Sequence, residues 1–162
     1  MKQFIKLSFT VSLIMFVIVG CGGKEKIEVS SITIPLDKFE EMAPEYVDKT
    51  ISTTGIVDHV CKHGGKKLLL VTDDYSLHVY ADERYDDSIV GTEIEIIGKV
   101  GEDIIDESTF QKWEEDANSM EEHDRKMGII EYVEMMRDSL KTCGKDHFSD
   151  YYLTYVSHKS VE

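Results

Sequence analysis

Thr50-Ile-Ser-Thr-Thr-Gly-Ile-Val-Asp-His-Val-Cys61 is a run dominated by β-branched residues and interrupted by one glycine, Gly55. β-Branched side chains are stiff at χ1 and sit well on a pleated surface, so the run predicts a strand. A glycine inside it predicts a bulge or a sharp bend. His63-Gly64-Gly65-Lys66 reads as a turn. Beyond it, Lys67–Thr72 predicts a buried strand and Asp73-Asp74-Tyr75 a second turn. Ser76–Ala81 alternates, with Leu77, Val79 and Ala81 on one face and His78 and Tyr80 on the other. Glu93–Val100 alternates in the same way, and Asp150–His158 reads as a last strand. Four strands with short connections predict a strongly bent antiparallel meander. The fold class is therefore α+β, a five-stranded antiparallel barrel with a short N-terminal helix and a long helix before the last strand.

The helices follow from period and punctuation. Pro35 opens a short helix with Leu36, Phe39 and Met42 at three-residue steps, and Pro44 is expected to stop it. This helix is expected to plug one end or face of the sheet. Ser108 is expected to cap the long helix, which carries Phe110, Trp113, Ala117, Met120, Met127, Ile130, Val133, Met136 and Leu140 at three- and four-residue steps. Gly144 suits its C-terminus. At 1.5 Å per residue an unbroken 108–143 helix would reach roughly 50 Å, longer than a small domain is wide. Gly128 or the polar patch Glu121-Glu122-His123-Asp124 is therefore expected to break it.

Toward the N-terminus the composition changes. Lys2 and Lys6 precede a nearly unbroken apolar run, Leu7–Val19, and small Gly20 precedes Cys21. A charged start, a short apolar run and a small-residue cleavage point describe a secretory signal. The run is too short for a comfortable transmembrane helix. Residues 1–20 read as signal peptide, 21–31 as a polar tether, and 32–162 as one domain with a helical insertion at 108–143.

Ile18-Val19-Gly20-Cys21 resembles the lipobox of bacterial lipoproteins. The resemblance implies lipidation (palmitate among the acyl chains) on Cys21 and cleavage before it. Several acyl chains, at about 0.8 kcal/mol per buried CH₂, make a durable anchor. The implied location is the bacterial cell envelope, in the outer membrane, since Gly22 rather than an aspartate follows the cysteine.

Net charge bears on partners. The chain carries −14, and removal of Lys2 and Lys6 with the signal takes it to −16. Such a surface repels phosphate backbones, which excludes the main source of nucleic-acid affinity. It also repels an anionic bilayer, so the lipid must anchor the chain. The remaining partner class is an envelope protein; the oligomeric state is left open. The acidity serves solubility, and no spaced Asp/Asn/Gly loop of the EF-hand type occurs.

The strand pattern, with Gly-Ile-Val-Asp-His-Val-Cys in its first strand and Glu-Ile-Glu-Ile-Ile-Gly-Lys-Val in its fourth, resembles the OB-fold over about residues 48–101 and 150–158. Gly55–Lys67, with Cys-Lys-His-Gly-Gly-Lys-Lys at its end, resembles a segment of Bacteroidetes-type envelope lipoproteins. The chain departs from the usual OB order, because its major helix follows the fourth strand instead of the third. That departure puts the usual binding face in doubt.

Chemistry is sparse. Cys61 and His63 form Cys-x-His beside the glycine turn, and His59 would share their side of a regular strand. Cys143 and His147 flank Gly144. Two thiolates and two imidazoles can close a tetrahedral site for zinc or copper, although Cys-x-His is tighter than usual ligand spacing. Cys61 and Cys143 can instead form a disulfide in an oxidising compartment, closing a loop of roughly 80 residues and adding about 4 kcal/mol by chain entropy. His78 reads as a surface residue, His123 as part of a solvated helix face, and His158 as inert. Trp113 and the methionines read as helix packing. Gly-x-Ser-x-Gly, a phosphate loop and His-Glu-x-x-His are all missing from the sequence. The expected function is a lipid-anchored, non-catalytic binding module; the alternative is a metal-binding envelope lipoprotein built on Cys61, His63, Cys143 and His147.

Overall fold

The computed structural model describes residues 31–161. Cys21, the signal peptide and all of the tether but Ser31 lie outside the described residues. The elements in chain order are β1 (Ile32–Thr33), α1 (Phe39–Tyr46), β2 (Thr50–Val60), β3 (Lys67–Val71), β4 (Ser76–Tyr80), β5 (Glu93–Ile105), α2 (Glu107–Asn118), α3 (His123–Cys143) and β6 (Phe148–Ser160). Short 3₁₀ turns occupy Leu36–Lys38 and Asp87–Ile89. No helix among the described residues is long and apolar enough to cross a membrane.

Five strands close a barrel in the order β2-β3-β4-β6-β5, with β5 pairing back onto β2 over Thr50–Ile56. This is the Greek-key barrel of the OB type. The β2-β3-β4 meander is antiparallel, as its turns require. The fourth strand does not continue it: β6 comes between β4 and β5, running antiparallel to β5 and parallel to β4. The barrel is thus mixed. The parallel pair is possible because the long excursion through α2 and α3 returns β6 in the direction of β4. β1 adds a short parallel edge to β2.

The interior holds Ile51, Val57, Leu68, Leu70, Leu77, Val79, Ile94, Ile96, Val100 and Leu153. α1 packs Phe39 and Ala43 into the same core, which is the expected plug. Pro44 does not stop α1; the helix runs two residues further, to Tyr46. Pro44 leaves the Glu40 carbonyl without its i+4 donor, and the helix continues past that one missing bond with Phe39 and Ala43 held in the core. Gly55 is not the bulge in β2. A Cβ there would lie 2.8 Å from Leu70 Cγ and 2.9 Å from the Val71 carbonyl, so glycine lets β3 pass close by. The bulge falls between Val57 and His59.

β5 and β6 continue beyond the barrel as a two-stranded ribbon, from Gly101↔Tyr152 to Ile105↔Phe148. On its end sits an antiparallel helical pair. The expected break falls at Ser119–Glu122, which takes in the first half of the polar patch, while Gly128, the other candidate, lies inside α3. Folding back buries Phe110 against Val133 and Leu140, with Trp113, Ile129 and Met136 around them. A straight rod would leave that apolar face in water. Asp106, not Ser108, caps α2: its carboxylate accepts from the Thr109 N–H at 3.1 Å, and Ser108 donates its hydroxyl to the same oxygen. Arg137 of α3 reaches both Glu107 and Glu114 of α2 at 2.6–2.9 Å, with its guanidinium 5.6 Å from the Phe110 ring centre. Gly144 closes α3 in the left-handed conformation, φ 65°. Met127 and Met135, read from sequence as packing residues, are exposed.

Candidate binding face on the barrel

The antiparallel register of β2, β3 and β4 lays side chains in rows across the outside of the barrel. Directly opposed residues share a face. His59 pairs with Leu69, and Leu69 with His78, giving one row. Ile56 pairs with Val71 and Val71 with Ser76, giving a second. In the third, Lys67 pairs with Tyr80. The alternation that buries Leu68, Leu70, Leu77 and Val79 leaves these neighbours outside, half-buried or exposed.

The centre of the face is aromatic. Tyr80 meets Tyr152 of β6 edge to face, with ring centres 5.2 Å apart. The Lys67 ammonium lies 5.0 Å from the Tyr80 ring centre, and His78 is 6.4 Å from Tyr80. Tyr152 lies flat on Gly101, where any Cβ would strike its ring. Glycine at 101 is therefore what lets this tyrosine lie along the sheet. Burial pushes the His78 imidazole pKa below its ordinary value, and nearby Lys67 lowers it further while Asp150 opposes. His78 is thus neutral near pH 7, both donor and acceptor.

The residues singled out from sequence are distributed differently. His59 stays on the same side as Cys61, because the bulge at Asp58 precedes both and Val60 between them points inward; its Nδ1 pairs with Asp58 at 2.7 Å. Cys61 ends β2 and anchors the glycine turn: its N–H donates to the Lys67 carbonyl, and its own carbonyl accepts from Gly65. His63 is exposed on that turn. Cys143 is exposed at the end of α3. His147 pairs with Asp146 at 2.7 Å and lines an open groove of about 460 Å³ with Glu40, Lys145 and Asp150. Cys61, His63, Cys143 and His147 are not brought together. Among the described residues no group of three or more Cys, His, Asp or Glu has metal-binding geometry. Both cysteines are free thiols, so the Cys61–Cys143 bridge is not formed. The two pairs belong to different ends of the topology, a β2–β3 turn and the foot of a helix, and spacing along the chain carries no information about that.

Tyr80 and Tyr152 were not singled out from the sequence. The Leu77-His78-Val79-Tyr80 alternation carries the local signal for Tyr80, since it places that ring on the outward side of the strand. Tyr152 has no such local signal, because the β4–β6 pairing is what brings it there.

No family model matches the chain, and no curated protein matches it. Among solved structures it is similar to a putative aspartyl-tRNA synthetase from Leishmania major Friedlin, with 17% identity and a TM-score of 0.36 over 52% of this chain and 18% of that one. It is also similar to the telomere capping protein Ten1 from Saccharomyces pombe, with 14% identity and a TM-score of 0.33 over 43% of this chain and 67% of that one. A third likeness is to the aspartyl tRNA synthetase of Entamoeba histolytica, with 14% identity and a TM-score of 0.33 over 65% of this chain and 35% of that one. The chain spans less than a fifth of the length of the Leishmania protein.

Proposed function

We propose that this chain is a non-catalytic binding module, held at the bacterial outer membrane by lipid on Cys21, which offers the outer face of β2, β3 and β4 to an envelope protein. The observation that carries the reading is the row-by-row face of Tyr80, Tyr152, His78, Leu69 and Ile56, half-buried or exposed on rigid strands. Interface cores favour tyrosine and other aromatic side chains, are more apolar than the surrounding surface and are depleted in charge. This face fits that composition within a chain of net charge −14. The lipobox-like Ile18-Val19-Gly20-Cys21 supports the anchor. The charge weighs against nucleic acid. The zinc or copper reading has no third ligand beside Cys61 and His63 among the described residues.

Two measurements test the proposal in its native host. Intact mass of the full chain should show loss of residues 1–20 and added acyl mass on Cys21, and Cys21→Ser should abolish both. Cross-linking in intact cells should then yield a specific envelope protein with the unaltered chain. Tyr80→Ala with Tyr152→Ala should lose that product while keeping the barrel's circular dichroism. An unacylated mature chain would sink the anchor; equal cross-linking by the double variant would sink the face.

A further inference from the structure

The helical pair carried on the end of the β5–β6 ribbon has a face that its own packing does not use. On α3 the inner stripe runs through Ile129, Val133, Met136 and Leu140, at four- and three-residue steps. One residue back, the same steps give a second stripe, Gly128, Tyr132 and Met135. This stripe faces water: Tyr132 is 47% exposed and Met135 58%. It joins α2 through half-buried Trp113, whose ring centre lies 6.2 Å from that of Tyr132. Tryptophan, tyrosine and methionine are the residues enriched where proteins meet.

Gly128 is a separate observation on the same stripe. It lies in the interior of α3, where glycine is destabilising relative to alanine. A Cβ at 128 would meet nothing within 4 Å, so no contact inside the molecule calls for glycine. Bare backbone at that point lets a group from outside approach the helix closely.

Charge selects what approaches. Between Lys126 and Arg137, α3 carries Glu131 and Glu134 and no cation. Glu131, Glu134 and Asp138, all exposed, follow one another at three- and four-residue steps and rim the stripe beyond Met135. Asp138 meets Lys141 at 3.3 Å, while Glu131 and Glu134 have no ion-pair partner among the described residues. Arg137 is spent on Glu107 and Glu114. An anionic bilayer surface would repel this rim. A second copy packed antiparallel would set like rim against like rim.

We propose that this face docks a cationic amphipathic helix of another protein. Its apolar side chains cover Trp113, Tyr132 and Met135, and its lysines or arginines meet Glu131, Glu134 and Asp138. The site is on different elements from the face of β2, β3 and β4 and does not depend on it.

The test follows the emission of Trp113, the only tryptophan, in the full chain in a nonionic detergent. The probe is a synthetic amphipathic helix of leucine and lysine, about 18 residues long. Its counterpart keeps the leucines and has glutamate for every lysine. The lysine peptide should shift the emission to the blue, saturably, and the glutamate peptide should not. Tyr132→Ala should weaken binding about tenfold or more, as loss of an aromatic anchor does. Gly128→Leu should weaken it as much while its melting temperature stays level or rises, because leucine is the better helix former and meets open space. Tyr80→Ala with Tyr152→Ala should leave it unchanged, so the two faces fail separately. Equal binding of both peptides, or undiminished binding by either α3 variant, overturns the proposal. So does a blue shift on moving the chain into phosphatidylglycerol vesicles without peptide, which makes a bilayer the occupant. A cross-linked dimer that Gly128→Leu abolishes makes the occupant a second copy and overturns it too.

Discussion

Phe110→Ala should melt the helical pair and leave the barrel standing. Phe110 is 0% exposed and is the largest member of a small core whose other buried members are Val133 and Leu140. Removing a buried phenylalanine ring costs about 3–5 kcal/mol. Full burial of three such side chains contributes about 5–8 kcal/mol before ordering entropy is subtracted. The substitution therefore removes most of what holds α2 to α3. That core shares no buried residue with the barrel core, so the loss should stay local. The only tryptophan, Trp113, lies 5.9 Å from the Phe110 ring and reports on the pair alone. In the variant, the Trp113 fluorescence transition should move to much lower denaturant, and amides of α2 and α3 should exchange about a hundred to several thousand times faster, at 1.4 kcal/mol per decade. Amides at Leu70, Ile96 and Leu153 in the barrel should change little. A single transition, with equal loss of protection in barrel and helices, would refute this division into two cores.

Other predictions follow from single contacts. Gly98→Ala places a Cβ 2.9 Å from the Thr154 carbonyl and 3.0 Å from Leu153 Cβ, both on β6, and should cost about 1–3 kcal/mol by thermal unfolding, whereas Gly64→Ala meets open space and should change the melting temperature little. The Asp106 carboxyl is held below its ordinary pKa by the Ser108 hydroxyl and then the Thr109 N–H. A depressed folded pKa gives stability that is full above the unfolded value, about 4, and lost as pH falls through the folded one. The Trp113 transition should therefore weaken below about pH 4, and less so in Asp106→Asn. Iodoacetamide should alkylate both thiols of the unreduced native chain, exposed Cys143 faster than half-buried Cys61; an intact mass two hydrogens light with neither thiol reactive would contradict the two free thiols.

Much of this molecule was legible in its residues. Period-two alternation located β4 to within a residue, and an apolar run between two turns located β3, although that strand buries one face only and leaves Leu69 and Val71 half-buried. Period 3.6 found the helices, and the polar Glu121-Glu122 stretch marked their break, since it has nothing to bury. The strand order, the parallel β4–β6 pair and the closure of β5 on β2 rest on contacts between segments up to about seventy positions apart, which no local pattern encodes. The same is true of the sites. Cys61, His63, Cys143 and His147 looked like one set by residue type, yet the topology leaves them apart. Tyr80 and Tyr152 lie on strands far apart in sequence and meet at 5.2 Å only once β6 runs beside β4. Local propensity depends on what a residue's own neighbours allow, so the sequence alone determined the elements. Their assembly depends on which apolar faces cover one another, and only the tertiary structure decided that.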